Sequence, residues 1–357
     1  MTITEEKIIH ALAQVDDPDF KKDLVSLNMI KDISFDENNI AFTVELTTPA
    51  CPLKDKIEED CRNAIAQLVS NTAKVDITFT SKVATAKNIK AELLPNVKNL
   101  IAISSGKGGV GKSTVSVNLA LALANTGAKV GLIDADIHGP SIPTMLNLGS
   151  QRPTVQKIDE RNFIVPLMYN DLKVMSIGFL IGEKQPVAWR GPMATSALRQ
   201  MITEVLWEDL DYLIIDLPPG TGDIHLTLAQ TIGITAAVIV TTPQEVALAD
   251  ARKAVAFYQL ESINIPVLGV VENMSYFVPP DLPEKKYYIF GKGGGQLIAQ
   301  QFDVPFLGEL PLVQAIREGG DEGRPIALQF STPSSKAFEH IAQAVAQQVA
   351  ILNTEFQ

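Results

Sequence analysis

Six apolar runs between residues 99 and 309 do not alternate with polar positions. They lie at 99–103, 129–134, 212–216, 236–241, 267–273 and 306–309. Strands of this kind are buried on both faces, which predicts a mostly parallel sheet with helices packed on either side. Residues 115–124 continue the first run with apolar positions at helical spacing, and strand and helix alternate from there on. Near the end, Phe338, Ile341, Val345, Val349 and Leu352 fall at three- and four-residue intervals, the stripe of a helix that packs on the sheet.

The first ninety or so residues follow another rhythm. They predict a helix over 5–14, a loop at 16–19 around Pro18, strands near 30–35 and 40–46, a helix over 53–68 and a third strand at 74–79. The turn-forming cluster at 36–39 separates two alternating runs, a hairpin signal. Residues 80–98 hold lysines, small residues and Pro95 without periodicity and read as a linker. The expected division is a small α+β domain at 1–85, a linker at 86–98 and an α/β domain at 99–357.

Composition narrows the classes. A chain of 357 residues suits about two domains, and 46% hydrophobic residues suit a globular protein. No stretch reaches the roughly 18 apolar residues of a membrane helix. The start carries Glu5 and Glu6 and no secretory pattern, so the expected compartment is the cytoplasm. A formal charge of −11 argues against partners bound through a nucleic-acid backbone or an anionic membrane. Lys82, Lys87, Lys90 and Lys98 read as a solvated linker rather than a basic patch. The chain has two cysteines, Cys51 and Cys61. On one helix they would stand roughly 15 Å apart, too far for a disulfide.

Residues 106–114 read G-K-G-G-V-G-K-S-T, a Walker A loop between a predicted strand and a predicted helix. The glycines, Gly106, Gly108, Gly109 and Gly111, let backbone N–H groups around Val110 turn toward phosphate oxygens. Lys112 reaches the β- and γ-phosphates of ATP, Ser113 ligates Mg²⁺, and Thr114 continues into the helix whose N-terminus faces the anion. Lys107 follows the first glycine. A lysine there points away from its own cradle and is placed to reach a nucleotide on a facing subunit.

Two acidic motifs follow strands at the carboxyl edge, where open α/β sheets bind ligands. G-L-I-D-A-D-I-H-G at 131–139 carries Asp134 and Asp136; such a carboxylate orients attacking water or caps the next helix. D-Y-L-I-I-D-L-P-P-G-T-G-D at 211–223 carries Asp216, a Walker B acid for the Mg²⁺ shell, and Gly220 and Gly222 permit a loop that responds to the γ-phosphate. The four histidines, His10, His138, His225 and His340, form no ligand-spaced cluster and read as structural or exposed.

The loop with Lys107 resembles the deviant Walker A of ATP-sandwich dimers, the class of MinD, ParA, the nitrogenase iron protein and the Mrp-type carriers. That resemblance gives Lys107 a role in trans and Asp136 the attacking water. Further segments, G-P-S-I-P at 139, W-R-G-P-M at 189, T-T-P-Q-E-V-A-L-A-D at 241, V-E-N-M-S-Y-F at 271 and I-R-E-G-G-D at 316, are similar to the Mrp family of ATP-binding iron-sulfur carriers. T-T-P-A-C-P at 47–52 resembles the iron-sulfur assembly domain often fused ahead of it. The family implies an ATP-hydrolysing homodimer that hands clusters to apo-proteins alongside assembly factors. It also makes Asn273 and Pro311 candidates for adenine.

One departure stands out. Where the family carries a cluster-bridging C-x-x-C, this chain reads V-P-P-D at 278–281, and no cysteine follows Cys61. Cys51, ahead of the predicted helix, becomes the candidate cluster ligand or transfer thiol, with a pKa expected to be lowered by the helix N-terminus; the alternative is a small buried hydrophobe. Two competing functions remain at this point: a MinD- or ParA-like positioning ATPase, and a docking scaffold that no longer binds a cluster.

Overall fold

The computed structural model describes residues 3–87, 92–137, 139–180, 191–279, 281–282 and 284–355. Lys90, His138, Pro280 of V-P-P-D, and Trp189 and Arg190 of W-R-G-P-M lie outside them. The chain divides into two compact units, Met1–Ala84 with Ala346–Gln357, and Thr85–Val345.

In the first unit α1 (Glu5–Leu12) is opened by Thr4, whose hydroxyl accepts from the Lys7 amide. β1 (Ile30–Phe35), β2 (Asn39–Leu46), α2 (Lys54–Leu68) and β3 (Lys74–Ser81) follow. β1 pairs antiparallel with β2, across a turn in which the Asp36 carboxylate accepts from the Asn38 and Asn39 amides. β2 and β3 are parallel, so α2 serves as the crossover such a pair requires. Alternation along β2 buries Ile40, Phe42, Val44 and Leu46 against Ile57, Cys61 and Ile65 of α2 and Ile8 and Leu12 of α1.

The second unit contains β4 (Val97–Ser104), α3 (Lys112–Asn125), β5 (Val130–Asp134), α4 (Ile142–Met145), β6 (Leu167–Tyr169), β7 (Leu172–Ser176) and α5 (Gly191–Thr203). It goes on through β8 (Leu210–Asp216), α6 (Asp223–Thr231), β9 (Ala236–Thr241), α7 (Glu245–Gln259), β10 (Val267–Phe277), α8 (Gly294–Gln301), β11 (Phe306–Leu312), α9 (Gln314–Asp321) and α10 (Pro333–Glu355). The eight-stranded sheet has the order β6-β7-β5-β8-β4-β9-β10-β11. Only its β6–β7 edge pair is antiparallel. The fold is therefore α/β with a mostly parallel sheet, and all six apolar runs are strands of it. β6, β7 and a ribbon of Thr154–Ile158 with Arg161–Val165 were not anticipated.

α10 is divided between the units. Phe338, Ile341 and Val345 are buried, with Ile341 against Gly308 of β11, as the apolar stripe implies. The residues from Ala346 group instead with the first unit, where Gln347 Nε2 donates to Asp19 Oδ1 and Asn353 Nδ2 to the Ala84 carbonyl. The sequence expectation had kept all of 99–357 together; apolar spacing cannot register these two polar ties. Among the described residues no helix is long and apolar enough to cross a membrane.

Candidate nucleotide site and a lone thiol

Sheet register assembles the site. β8 lies between β5 and β4, and Asp216 pairs in register with Asp134 on one side and Ile103 on the other. Two acids thus end adjacent strands beside the strand that leads into the glycine loop.

Two glycines of the loop are sterically required. Gly111 has φ +81°, and a Cβ there would fall 2.2 Å from Asn273 Nδ2. A Cβ on Gly106 would fall 2.1 Å from the Asp250 carbonyl of α7. Asn273 Nδ2 donates to the Val110 carbonyl at 2.8 Å, so β10 pins the loop.

Three donors from the first turn or so of α3 converge on Asp216, which is fully buried. Lys112 Nζ lies 2.7 Å from Oδ1 and is itself 6% exposed. Ser113 donates to Oδ2 at 2.6 Å and Ser116 to Oδ1 at 2.6 Å. Ser116 was not singled out in the sequence, although its i+4 spacing from Lys112 places both on one helical face. Asp134 is also buried and accepts from the Ser176 hydroxyl at 3.0 Å and the Ile142 amide at 3.2 Å. Burial first, and the charge of Asp216 second, push its pKa up to about 8.

Above this floor is a cavity of about 290 Å³, bordered by Lys107, Gly108, Gly109, Ser113, Thr114 and Asp136. Lys107 is exposed on its rim; Asp136 is half-buried, its amide donating to Asp134 Oδ1 at 3.3 Å. A neighbouring cavity of about 570 Å³ shares Thr114, Ser141 and Met145 with the first and is lined by Asn273 and Pro311. The structure thus brings together every residue expected at the nucleotide. Cys51 belongs to the other unit.

Ser113 Oγ, which lines the cavity, and Asp216 Oδ2, buried 2.6 Å behind it, form a pair of hard oxygen donors. This donor set suits Mg²⁺, which takes few protein ligands and completes its shell with phosphate and water. Among the described residues, no group of three or more His, Cys, Asp and Glu is arranged to hold a metal.

Cys51 precedes α2 and is half-buried; Cys61 is fully buried in the core, and both are free thiols. The expectation of a lowered Cys51 pKa is overturned. Burial raises it, Asp17 and Asp19 add to the effect, and the amides of Leu53 and Lys54 at the helix start offset only part. For Cys61 burial pushes the thiol up to about 12, in keeping with a structural role.

Known proteins agree with this geometry. Residues 96–346 match the family described as NUBPL iron-transfer P-loop NTPase, and residues 5–81 match the iron-sulfur cluster assembly protein family. An iron-sulfur cluster carrier protein of Synechocystis is 48% identical over 98% of this chain and 99% of its own. The carrier of the same description from Escherichia coli is 43% identical over 95% of this chain and 89% of its own. A nucleotide-binding protein from Archaeoglobus fulgidus, solved in complex with ADP, is 38% identical, covers 70% of this chain and 95% of its own, and superposes with a TM-score of 0.58. The chain belongs to the iron-transfer P-loop NTPase family, with an iron-sulfur cluster assembly domain ahead of the NTPase domain.

Proposed function

We propose that this chain is an ATP-hydrolysing homodimer of the cytoplasm that binds iron-sulfur clusters in transit and delivers them to apo-proteins. The observation that carries the nucleotide half is the convergence on buried Asp216 of Lys112 and Ser113, which line the phosphate cavity, and of Ser116. Backbone N–H groups of 106–111 cradle the phosphates, and Lys112 exchanges Asp216 for phosphate oxygen. Ser113 and Asp216 hold Mg²⁺, which when bound neutralises charge on the β- and γ-phosphates. Asn273 and Pro311 border the base, and Asp136 orients the attacking water. Lys107, exposed at the rim, reaches the nucleotide of the facing subunit and stabilises the charge that develops there, as an arginine finger does.

The cluster is cargo. Thiolates are its usual ligands, and beyond Cys61 the chain has none, so Cys51 is the transfer thiol. One Cys51 per chain supplies two thiolates per dimer; the rest come from a donor or recipient protein or a small thiol. A partner's iron would also favour the thiolate of Cys51 against the burial that raises its pKa. The missing C-x-x-C supports one other reading, a nucleotide-driven scaffold that docks assembly partners without touching the cluster.

Anaerobic reconstitution of the full chain with iron and sulfide separates the two. Bound iron and visible charge-transfer absorption are expected for wild type and lost in Cys51→Ala. Iron in neither protein sinks the carrier reading and leaves the scaffold. Equal iron in both moves the ligand away from Cys51.

A further inference from the structure

β10 runs through Val267, Leu268, Val270 and Val271 to a buried acid, Glu272, which is 1% exposed. Burying a carboxylate is costly unless its oxygens are satisfied, and a valine would continue the strand without that cost. Both oxygens are used. Oε1 accepts from the Ser275 hydroxyl at 2.8 Å, and Oε2 accepts from the Gly295 amide at 2.6 Å, in the first turn of α8. A helix start favours negative charge. The approach is close enough that a Cβ on Gly295 would fall 2.9 Å from the Glu272 Cβ.

Glu272 and Ser275 bracket a bulge. Glu272 pairs with Glu309 of β11 and Tyr276 with Pro311, so residues 273–275 oppose Leu310 alone. Within the bulge Met274 adopts φ +54°, a left-handed conformation that a residue with a Cβ keeps only where its surroundings enforce it. The Glu272 carboxylate supplies that constraint, since it grips Ser275 beyond Met274 and is itself anchored on α8. The bulge sends Asn273 toward the Walker A loop, where Nδ2 meets the Val110 carbonyl at 2.8 Å. Asn273 and Met274 also line the cavity of about 570 Å³. Glu272 itself borders neither this cavity nor the phosphate cavity, so its influence on a ligand passes through its neighbours.

We propose that Glu272 is a positioning residue for the nucleotide site: by fixing the β10 bulge to the start of α8, it holds Asn273 where its amide pins the Walker A loop. The proposal rests on the nucleotide reading above. A loop already held in one form binds phosphate without a further entropy cost of ordering. Asn273 makes the contact with the loop, and Glu272 determines where that contact stands. This accounts for a buried acid at a strand position where an apolar residue would serve the core.

The test measures ADP binding to the full-length chain by calorimetry, for wild type, Glu272→Leu, Glu272→Gln, Asn273→Ala and the double variant of Glu272→Leu with Asn273→Ala. Glu272→Leu is expected to weaken ADP about tenfold, the size of one lost hydrogen bond at the loop. Glu272→Gln is expected to stay within about threefold of wild type, because its amide oxygen accepts from Gly295 and its nitrogen donates to Ser275 Oγ. The Ser275 hydroxyl then donates to the main-chain carbonyl of residue 272, already 2.9 Å away. The double variant is expected to bind ADP no more weakly than Asn273→Ala, since Glu272 acts through Asn273. Were Glu272 merely structural, the two losses would multiply. Undiminished affinity in Glu272→Leu, a Glu272→Gln as weak as it, or losses that multiply, overturns the positioning role and leaves the nucleotide reading intact. A wild type that binds no ADP overturns both. Should Glu272→Leu fail to fold, Ser275→Ala, which removes one donor to the carboxylate, takes its place in the cycle with Asn273→Ala, and the same outcomes decide.

Discussion

Around Asp216, an ammonium and two hydroxyls from a single helix converge on one buried carboxylate within 2.7 Å. Around Cys51, one half-buried thiol meets two backbone amides that favour its thiolate and two aspartates that oppose it. Asp216 faces the start of α3 and Cys51 precedes the start of α2, yet their environments act in opposite directions. At the phosphate cavity the charges compensate one another within the chain, so the apparatus stands ready before any ligand arrives. At Cys51 compensation is incomplete and the neutral thiol is favoured. The first centre has its counter-charge within the chain, whereas the second, in the transfer role proposed for Cys51, takes the missing positive charge and further ligands from a partner.

The comparison breaks most severely at Asp216. Asp216→Ala leaves the Lys112 ammonium buried without its counter-charge, and removing one member of a buried pair costs about 3–5 kcal/mol. Urea unfolding should register that loss, and ATP hydrolysis should disappear. A variant as stable as wild type would mean that water already screens Lys112 and that the centre is less self-contained than its geometry implies. Lys107→Ala is the counterpart on the exposed rim. Turnover should drop on the order of 10³, the low end for a charge supplied in trans, with nucleotide binding retained. Its stability should stay within about 0.5 kcal/mol of wild type, as for ordinary surface changes. Undiminished turnover would remove the facing subunit from the chemistry.

What the sequence revealed divides along similar lines. The six core strands were legible because strands buried on both faces are apolar at consecutive positions, a pattern that needs no knowledge of neighbours. Lys112 was legible because it follows glycines at the spacing of a phosphate loop, and Asp216 because an apolar strand of the same sheet ends on it. β6 escaped because it is a three-residue edge strand, β7 because Lys173 and Ser176 interrupt its short apolar run, and the 154–165 ribbon because it is largely exposed. Ser116 escaped for another reason: a serine within a helix acquires meaning only when tertiary packing buries it beside a partner, here Asp216. Cys51 does precede a helix as the sequence indicates, but its electrostatics differ from the expectation. The helix start lowers a thiol pKa only when desolvation is smaller than the amide contribution, and desolvation depends on the core formed around it.

Asp134 offers the smallest effect and a direct reading of the buried acids. Its pKa is about 8 in the folded chain and about 3.9 when unfolded. Between those values the native state keeps a proton that the unfolded state releases, so stability falls as pH rises through the window. His225 runs the other way. Its folded pKa of about 4 lies below the unfolded value of about 6.5, so its contribution to stability is lost as pH falls through that range. The two slopes oppose one another below about pH 6.5, which leaves the Asp134 slope alone between about 6.5 and 8. Asp134→Asn keeps an oxygen to accept from Ser176 and Ile142 but cannot titrate. Thermal unfolding of both proteins across that interval should show the variant gaining on wild type by at most about 1.4 kcal/mol per pH unit. A constant difference would mean that Asp134 is ionised throughout, and the site would then hold two buried negative charges on adjacent strands against the single ammonium of Lys112.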